Sequence, residues 1–178
     1  MRLLRTIRLD PSDTHVFERA AEPGEWAVPG SFVFMNRDPS TLAGKMRSAF
    51  RTGFLGIDTL GWSTLVQVVN ATHADRAQAI ELLAYRLMEK YGAPDLAAAA
   101  AAAEEEIDFA ASLCDQGEST LIAMQRISED GKIRESFRTL KPREGEAPAR
   151  AFSFMEVEGE DDPPAADINL VDLAKGKT

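Results

Sequence analysis

Apolar positions change their spacing near residue 61, where an alternating apolar stretch leads into two segments with helical periodicity. Trp62–Val69 is rich in β-branched residues and predicts a central strand. Asn70-Ala71-Thr72 follows with residues suited to capping a helix, and a first helix is predicted over Ala74–Lys90. A second helix is predicted over Asp95–Gln116, which includes a long run of alanines. We interpret this strand and the two helices as the scaffold on which the rest of the chain packs.

Each predicted helix carries one apolar stripe at spacings of three and four residues. In the first helix the stripe is Ala77, Ile80, Ala84, Leu87 and Tyr91, widened by Leu83 and Met88. In the second helix it is Leu96, Ala100, Ala103, Ile107, Ala110 and Cys114. Because many of these side chains are small, the two helices can approach closely, and an antiparallel helix pair is predicted.

The segments on both sides of this scaffold predict further strands separated by turn residues. Those before it are Met1–Leu9, His15–Arg19, Trp26–Met35 and Lys45–Ile57. Pro29-Gly30 interrupts the third of these strands, and the glycines of the fourth favour a strand with a bulge over a long helix. After the scaffold, Thr120–Ile127 and Lys132–Leu140 predict a hairpin closed by Asp130-Gly131. Arg150–Val157 is predicted as the last strand.

These elements predict an α+β fold in which an antiparallel sheet packs against a two-helix layer. The length of 178 residues fits a single globular domain, placed at residues 1–157. Residues 158–178 are predicted to be an acidic and largely disordered tail. Glu156 to Asp172 holds seven carboxylates and no lysine or arginine.

The net charge of −9 makes a nucleic-acid backbone an unfavourable partner. No apolar run approaches the ~20 residues that a membrane span requires, so no membrane association is expected. Cys114 is the only cysteine, which excludes an intramolecular disulfide and fits a reducing compartment. The predicted location is the cytoplasm.

No pattern of catalytic or metal-ligating residues emerges from the sequence. The two histidines, His15 and His73, lie outside any metal-ligand spacing, so no metal site and no cofactor are predicted. Cys114 lies on an inward stripe and is interpreted as a buried core residue. The acidic cluster Glu104–Asp108 is interpreted as a solvated helix face.

Two short segments match at four of six positions, Arg47–Thr52 and Arg134–Thr139. The match indicates either a remnant of duplication or chance. If both segments face one cavity, Arg51 and Arg138 would offer guanidinium groups to a carboxylate or phosphate, with Trp62 as a further contact. The alternative is that both arginines lie exposed or pair with the acidic tail.

Three stretches carry a resemblance to a known family: Phe50–Ser63, Tyr91–Pro94 and Ala151–Val157. With these motifs the chain resembles a small bacterial family of uncharacterised proteins, over nearly its whole length up to Val157. Families of this kind have no assigned activity, so the resemblance implies no functional residue.

Two functions are consistent with these patterns. The first is a non-catalytic interaction or accessory protein whose partner is another protein. Its recognition element would be the apolar segment of the tail, namely Ile168, Leu170, Val171 and Leu173. The second is a binding protein or small enzyme for an anionic metabolite, using Arg51, Arg138 and Trp62. Self-association into a homo-oligomer is an open alternative.

Overall fold

The computed structural model describes residues 1–141 and 156–158. Helices and strands follow one another along the chain in an α+β fold, and this fold class was predicted from the sequence. The strands are β1 (Arg2–Ile7), β2 (Trp26–Val28), β3 (Phe54–Gly56), β4 (Trp62–Ser63), β5 (Leu65–Asn70), β6 (Leu121–Glu129), β7 (Lys132–Lys141) and β8 (Glu156–Glu158). The α-helices are α1 (Ser12–Val16), α2 (Gly44–Thr52), α3 (His73–Lys90) and α4 (Leu96–Ser112), and two short 3₁₀ helices cover Ser31–Phe34 and Pro39–Thr41.

Within the described residues the eight strands form one antiparallel sheet in the order β4-β3-β2-β1-β5-β6-β7-β8. β1 and β5 pair over six residues each at the centre, where Leu4 faces Val68 across the ladder. The β6–β7 hairpin closes at Asp130 and Gly131, which both have positive φ angles of 51° and 71°. These angles suit the two-residue hairpin turn that an Asp-Gly pair predicts, and the prediction is confirmed.

The two long helices form an antiparallel pair on this sheet. α4 contacts β1 and β2, and α3 packs against α4. Arg76 near the start of α3 donates to Glu104 and Asp108 in the second half of α4, at 3.1 and 2.6 Å, which fixes the antiparallel orientation. Both helices carry buried alanines, and side chains this small suit the close approach that the sequence predicted: Ala79, Ala84, Ala99, Ala103 and Ala110.

The boundaries of these helices were predicted within a few residues. Thr72 caps α3 in a capping box with Asp75, whose backbone N–H donates to the Thr72 hydroxyl at 3.1 Å. The predicted apolar stripes include some residues that are not buried, because the buried face of each helix is rotated slightly from the predicted one. Four of the residues placed on the inward stripes are exposed: Ala77, Met88, Tyr91 and Leu96.

Two predicted strands are wrong. The segment predicted as a strand over His15–Arg19 begins inside the short helix α1. Asp13 of this helix is buried and accepts hydrogen bonds from the hydroxyl and the N–H of Thr64, which connects β4 to β5. Lys45–Ile57 is α2 followed by β3, because Gly53 is the residue at which the helix ends and Gly56 belongs to the next strand. The glycines therefore divide two elements and do not mark a bulge.

Two further strands are shorter than predicted. The strand predicted over Trp26–Met35 ends at Val28, where Gly30 takes a φ of 74° and the chain turns into a 3₁₀ helix. The strand predicted over Trp62–Val69 is divided at Thr64 into β4, at one edge of the sheet, and the internal strand β5. Most of the predicted last strand, Arg150–Val157, lies outside the described residues.

Candidate functional site

A cavity of about 520 Å³ opens between the end of α3, α2 and the loops that flank α1 and β4. We call it the Trp62 cavity. Its volume lies within the 300–1,000 Å³ that small-molecule sites typically occupy. The lining residues come from five separate parts of the chain: Glu18, Arg19, Val33, Arg37, Lys45, Met46, Ala49, Leu60, Trp62 and Tyr91.

The floor of the Trp62 cavity is fixed by aromatic packing. The Trp62 ring stacks on Phe34 with a centroid distance of 5.3 Å, and Phe34 in turn meets Phe50 edge to face at 5.2 Å. A Cβ atom at Gly53 would lie 2.8 Å from the Trp62 ring and 2.7 Å from a backbone oxygen of α2. Glycine at this position therefore lets the tryptophan ring lie directly against the end of the helix.

The rim of the cavity is basic. Among the described residues, three cations line it, Arg19, Arg37 and Lys45, against the single carboxylate of Glu18. All three cations are exposed, and the Arg19 guanidinium is anchored by a 2.9 Å hydrogen bond to the Thr59 carbonyl. A local excess of positive charge in a protein of net charge −9 favours an anion at this place.

Tyr91 forms one wall at the C-terminal end of α3. Its ring meets Phe32 edge to face at 5.2 Å. Burial raises the pKa of the Tyr91 phenol, and the positive charge of Arg37 opposes part of that shift. The phenol therefore stays protonated at neutral pH and can donate a hydrogen bond next to the basic rim.

The loop that carries Leu60 into the cavity is held from beneath by a buried carboxylate. Glu25 accepts from the Thr59 N–H at 2.9 Å and from the Thr59 hydroxyl at 2.7 Å. Leu60 itself has a φ of 54°, a left-handed conformation that non-glycine residues adopt at a cost of about 1 kcal/mol. The surrounding hydrogen bonds keep this loop in a conformation that it would not adopt alone.

A buried arginine holds two further walls in place. Arg126 on β6 is fully buried and donates to the carbonyl oxygens of Phe50 and Pro29, each at 2.7 Å. Phe50 belongs to α2, and Pro29 precedes the 3₁₀ helix that carries Val33. Burial lowers the pKa of Arg126, and the neighbouring Glu135, which accepts from Nε at 2.8 Å, opposes that shift. Arg126 thus joins the sheet to both sides of the cavity.

Glu106 completes this internal polar cluster and is the exception to the predicted solvated acidic face, whose other members, Glu104, Glu105 and Asp108, are exposed. The Glu106 carboxylate accepts from the Gly30 N–H at 2.8 Å, whereas Glu104 and Asp108 pair with Arg76 outside. Burial raises the pKa of Glu106, the hydrogen bond from Gly30 lowers it, and the charge of Glu135 raises it further.

The predicted ligand residues are divided between two cavities. Arg51 and Arg138 do line one cavity, of about 370 Å³, together with Ser48, Thr52 and Gln125. Trp62 lies in the other cavity. Arg51 and Arg138 are both exposed, and their role in anion binding stays a prediction.

The matching segments that suggested a duplication adopt different structures. Arg47–Thr52 is helical in α2, and Arg134–Thr139 is a strand in β7. The match therefore does not reflect a structural repeat, and that interpretation is wrong. The predicted recognition segment of the tail lies outside the described residues: Ile168, Leu170, Val171 and Leu173.

Cys114 is a core residue, as predicted. It is 3% exposed, and its thiol donates to the Ala110 carbonyl over 3.4 Å. Burial raises the pKa of Cys114 to about 11, so that the thiolate needed for nucleophilic chemistry is scarce at neutral pH.

Most residues of the site could not be found from the sequence. Arg19, Arg37 and Lys45 lie in loops or at a helix start, and no short motif connects them. Arg126 left a detectable signal, since it follows Ile122 and Met124 on the buried face of an alternating strand. A charged residue at such a position indicates an internal ion pair.

The described part of the chain holds neither a metal-binding cluster of side chains nor a membrane-spanning helix. No group of three or more histidine, cysteine, aspartate or glutamate side chains there is arranged to hold a metal ion. None of the helices in that part combines the length and apolar character needed to cross a bilayer.

The fold and the cavity define an α+β protein with a preformed basic cleft of ligand-binding size. Residues 1–155 match the family DUF6505, described as a family of unknown function, and the chain belongs to that family. No curated protein and no solved structure matches the chain. The family match covers every residue of the Trp62 cavity and ends before the acidic tail at residues 158–178.

Proposed function

We propose that this protein binds a small organic anion with an apolar or aromatic body in the Trp62 cavity. The observation that carries the proposal is the placement of three cations above an apolar floor in an otherwise acidic protein. The negative group of the ligand would lie at the rim, near Arg19, Arg37 and Lys45. Arginine suits this role because its planar guanidinium can donate two parallel hydrogen bonds to a carboxylate or phosphate.

The body of the ligand would lie against the apolar part of the cavity. Met46, Leu60 and the edge of Trp62 supply that surface, and the Tyr91 hydroxyl offers a hydrogen bond to a polar substituent. Because Arg126 and Glu25 hold the surrounding backbone, the cavity exists before the ligand arrives. A preformed site loses less conformational entropy on binding, which supports a binding role.

The residues that line the cavity favour binding over turnover. Among the described residues of the lining there is no histidine, cysteine or serine, so the side chains that most often act as catalytic nucleophiles are missing at this place. Lys45 and Tyr91 are the titratable groups that face the proposed anion together with Glu18. We therefore propose a binding protein, and we place it in the cytoplasm on the sequence grounds given above.

The proposal can be tested with 8-anilino-1-naphthalenesulfonate, an aromatic anion whose fluorescence rises in apolar sites. We expect the native protein to bind it with 1:1 stoichiometry, and Arg37→Ala/Lys45→Ala to weaken the affinity about tenfold or more, the effect of ~1.4 kcal/mol. Arg134→Ala is the matched control, because this exposed arginine lies on β7 and pairs with Glu129. Equal affinities for the native protein and the double variant would refute the proposal.

A panel of aromatic carboxylates, aliphatic carboxylates and nucleoside monophosphates, tested for thermal stabilisation, would then narrow the class of ligand. A ligand present at 100 times its Kd stabilises the folded state by about 2.7 kcal/mol. At the same concentration of the best compound, a double variant with tenfold weaker affinity should be stabilised by only about 1.4 kcal/mol.

Recognition of another protein, the function that the sequence favoured first, is a second candidate. The observation that favours it is an apolar groove beside β7, on residues distinct from the Trp62 cavity.

A further inference from the structure

The groove lies between the second half of α4, the first 3₁₀ helix and β7, and we call it the Phe109 groove. Its apolar lining consists of Met35, Phe109, Leu113, Ile133 and Phe137, and it has a volume of about 460 Å³. Phe109 and Phe137 meet edge to face at 5.9 Å and form its base. Met35 is 74% exposed and Phe109 40% exposed, so two large apolar side chains of the groove face solvent.

Carboxylates accompany this apolar surface. Glu135 is part of the lining, with 13% of its side chain exposed, and Glu106 lies at the neighbouring end beside Gly30 and Ser31. Glu105 is exposed one helical turn before Phe109 and therefore shares its side of α4. Arg126 is the cation of this cluster, but it is buried and committed to Glu135 and to two carbonyl groups.

We propose that the Phe109 groove docks an amphipathic basic helix of another protein. Apolar side chains at positions i, i+3 and i+4 of such a helix would fill the groove, and flanking lysines or arginines would face the carboxylates. Charge complementarity supports this partner, since the groove is acidic at one end and the whole protein has a net charge of −9.

The composition of the chain adds to the attraction. Glu156–Asp172 holds seven carboxylates and no lysine or arginine, and contributes most of the net charge of −9 that a basic partner would meet. We therefore expect association to be fast at low salt and to weaken as ionic strength rises.

The same charges disfavour the two other possible occupants. The apolar segment of this chain, Ile168–Leu173, is flanked by Asp167 and includes Asp172, which would place carboxylates against Glu135. A second copy of the chain would bring an equally acidic groove to the contact. Like charges placed opposite one another cost binding energy.

The test uses the full-length protein and a fluorescently labelled 14-residue helical peptide of leucine and lysine, with the leucines on one face. Fluorescence anisotropy should show micromolar binding, and Met35→Ser/Phe109→Ser should weaken it at least tenfold. Tyr85→Ser/Leu96→Ser is the matched control, because these apolar residues are similarly exposed but lie outside the groove. The control should remain within twofold of the native protein, and circular dichroism would verify that each variant is folded.

Several outcomes would overturn the proposal. One is equal binding by the native protein and the groove variant, and another is equally tight binding of a leucine–glutamate peptide with the same pattern. If Leu170→Ala/Leu173→Ala binds the basic peptide tenfold more tightly than the native protein does, then the chain's own tail occupies the groove. If the native protein is a dimer in sedimentation and the groove variant is not, a second copy is the occupant. None of these outcomes bears on the Trp62 cavity, whose variants involve other residues.

Discussion

Replacing Arg126 by methionine would test how the walls of the Trp62 cavity are held. Methionine is similar in length and fills much of the same space, so the main loss is of hydrogen bonds and charge. The variant leaves the buried carbonyl groups of Phe50 and Pro29 without the donors they have now. Each buried acceptor left unpaired costs about 1–3 kcal/mol, so the two together cost roughly 2–6 kcal/mol.

Glu135 adds less to this loss. It loses its 2.8 Å partner, but 13% of its side chain is already exposed and water can reach it. Removing one member of a buried ion pair typically costs about 3–5 kcal/mol in total, which agrees with the sum over the two carbonyls. We therefore expect Arg126→Met to lose about 4 kcal/mol of unfolding free energy, which corresponds to a Tm lower by roughly 8–16 °C for a chain of this size.

The assay is equilibrium unfolding in urea followed by circular dichroism, compared at equal m-values. Arg126→Met/Glu135→Leu should be more stable than Arg126→Met alone, because it removes the carboxylate that has lost its partner. A loss below about 1 kcal/mol for Arg126→Met would refute the reasoning, since it would mean that the two carbonyls need no donor from Arg126.

Three further predictions concern separate residues. Gly53→Ala should lower the unfolding free energy by about 1–3 kcal/mol, because the added Cβ would overlap the Trp62 ring and the backbone of α2. Urea unfolding measures this loss, and an unchanged midpoint would contradict the prediction. The raised pKa of Glu106 means that the folded state holds this proton more tightly, so its stabilising effect is present at low pH and is lost as the pH rises through the folded-state pKa. Glu106→Gln, which keeps the acceptor for the Gly30 N–H, should therefore gain in Tm relative to the native protein at pH 7 and much less at pH 4; an equal difference at both values would count against this. Cys114 should react slowly with a thiol reagent in the native protein and quickly in urea, because burial raises its pKa to about 11, and fast stoichiometric labelling of the native protein would disprove this.

The long helices and the hairpin could be predicted because their signals are local. Thr72 caps α3 within three residues, and Asp130-Gly131 determines the turn between β6 and β7 without help from the rest of the chain. The secondary structure before residue 61 was harder to predict, because the structural role of Gly53 depends on residues distant in sequence. It ends α2 and allows Trp62 to approach, and the sequence shows the glycine without its neighbour.

Of the residues that line the Trp62 cavity, the sequence indicated only Trp62, which stood out by its residue type. Trp62 lines a cavity together with the cations Arg19, Arg37 and Lys45, whereas Arg51 and Arg138 line a different cavity. The ligand-binding role of Trp62 stays a prediction. The positions of Arg19, Arg37 and Lys45 depend on loops whose conformations are set by distant hydrogen bonds, such as those from Glu25 to Thr59. Sequence periodicity carries no information about such contacts.

The hydrogen bonds of Arg126 also set the order in which this chain can complete its fold. Its two carbonyl partners lie 76 and 97 residues earlier in the chain. At a synthesis rate of 5–20 residues per second, those carbonyls leave the ribosome roughly 4–20 s before the arginine that they require. During that interval the aromatic cluster around Phe34 can collapse but cannot exclude water from the Phe50 and Pro29 oxygens. Final closure of the nascent protein therefore has to wait for β6, and contacts this distant in sequence favour slow folding.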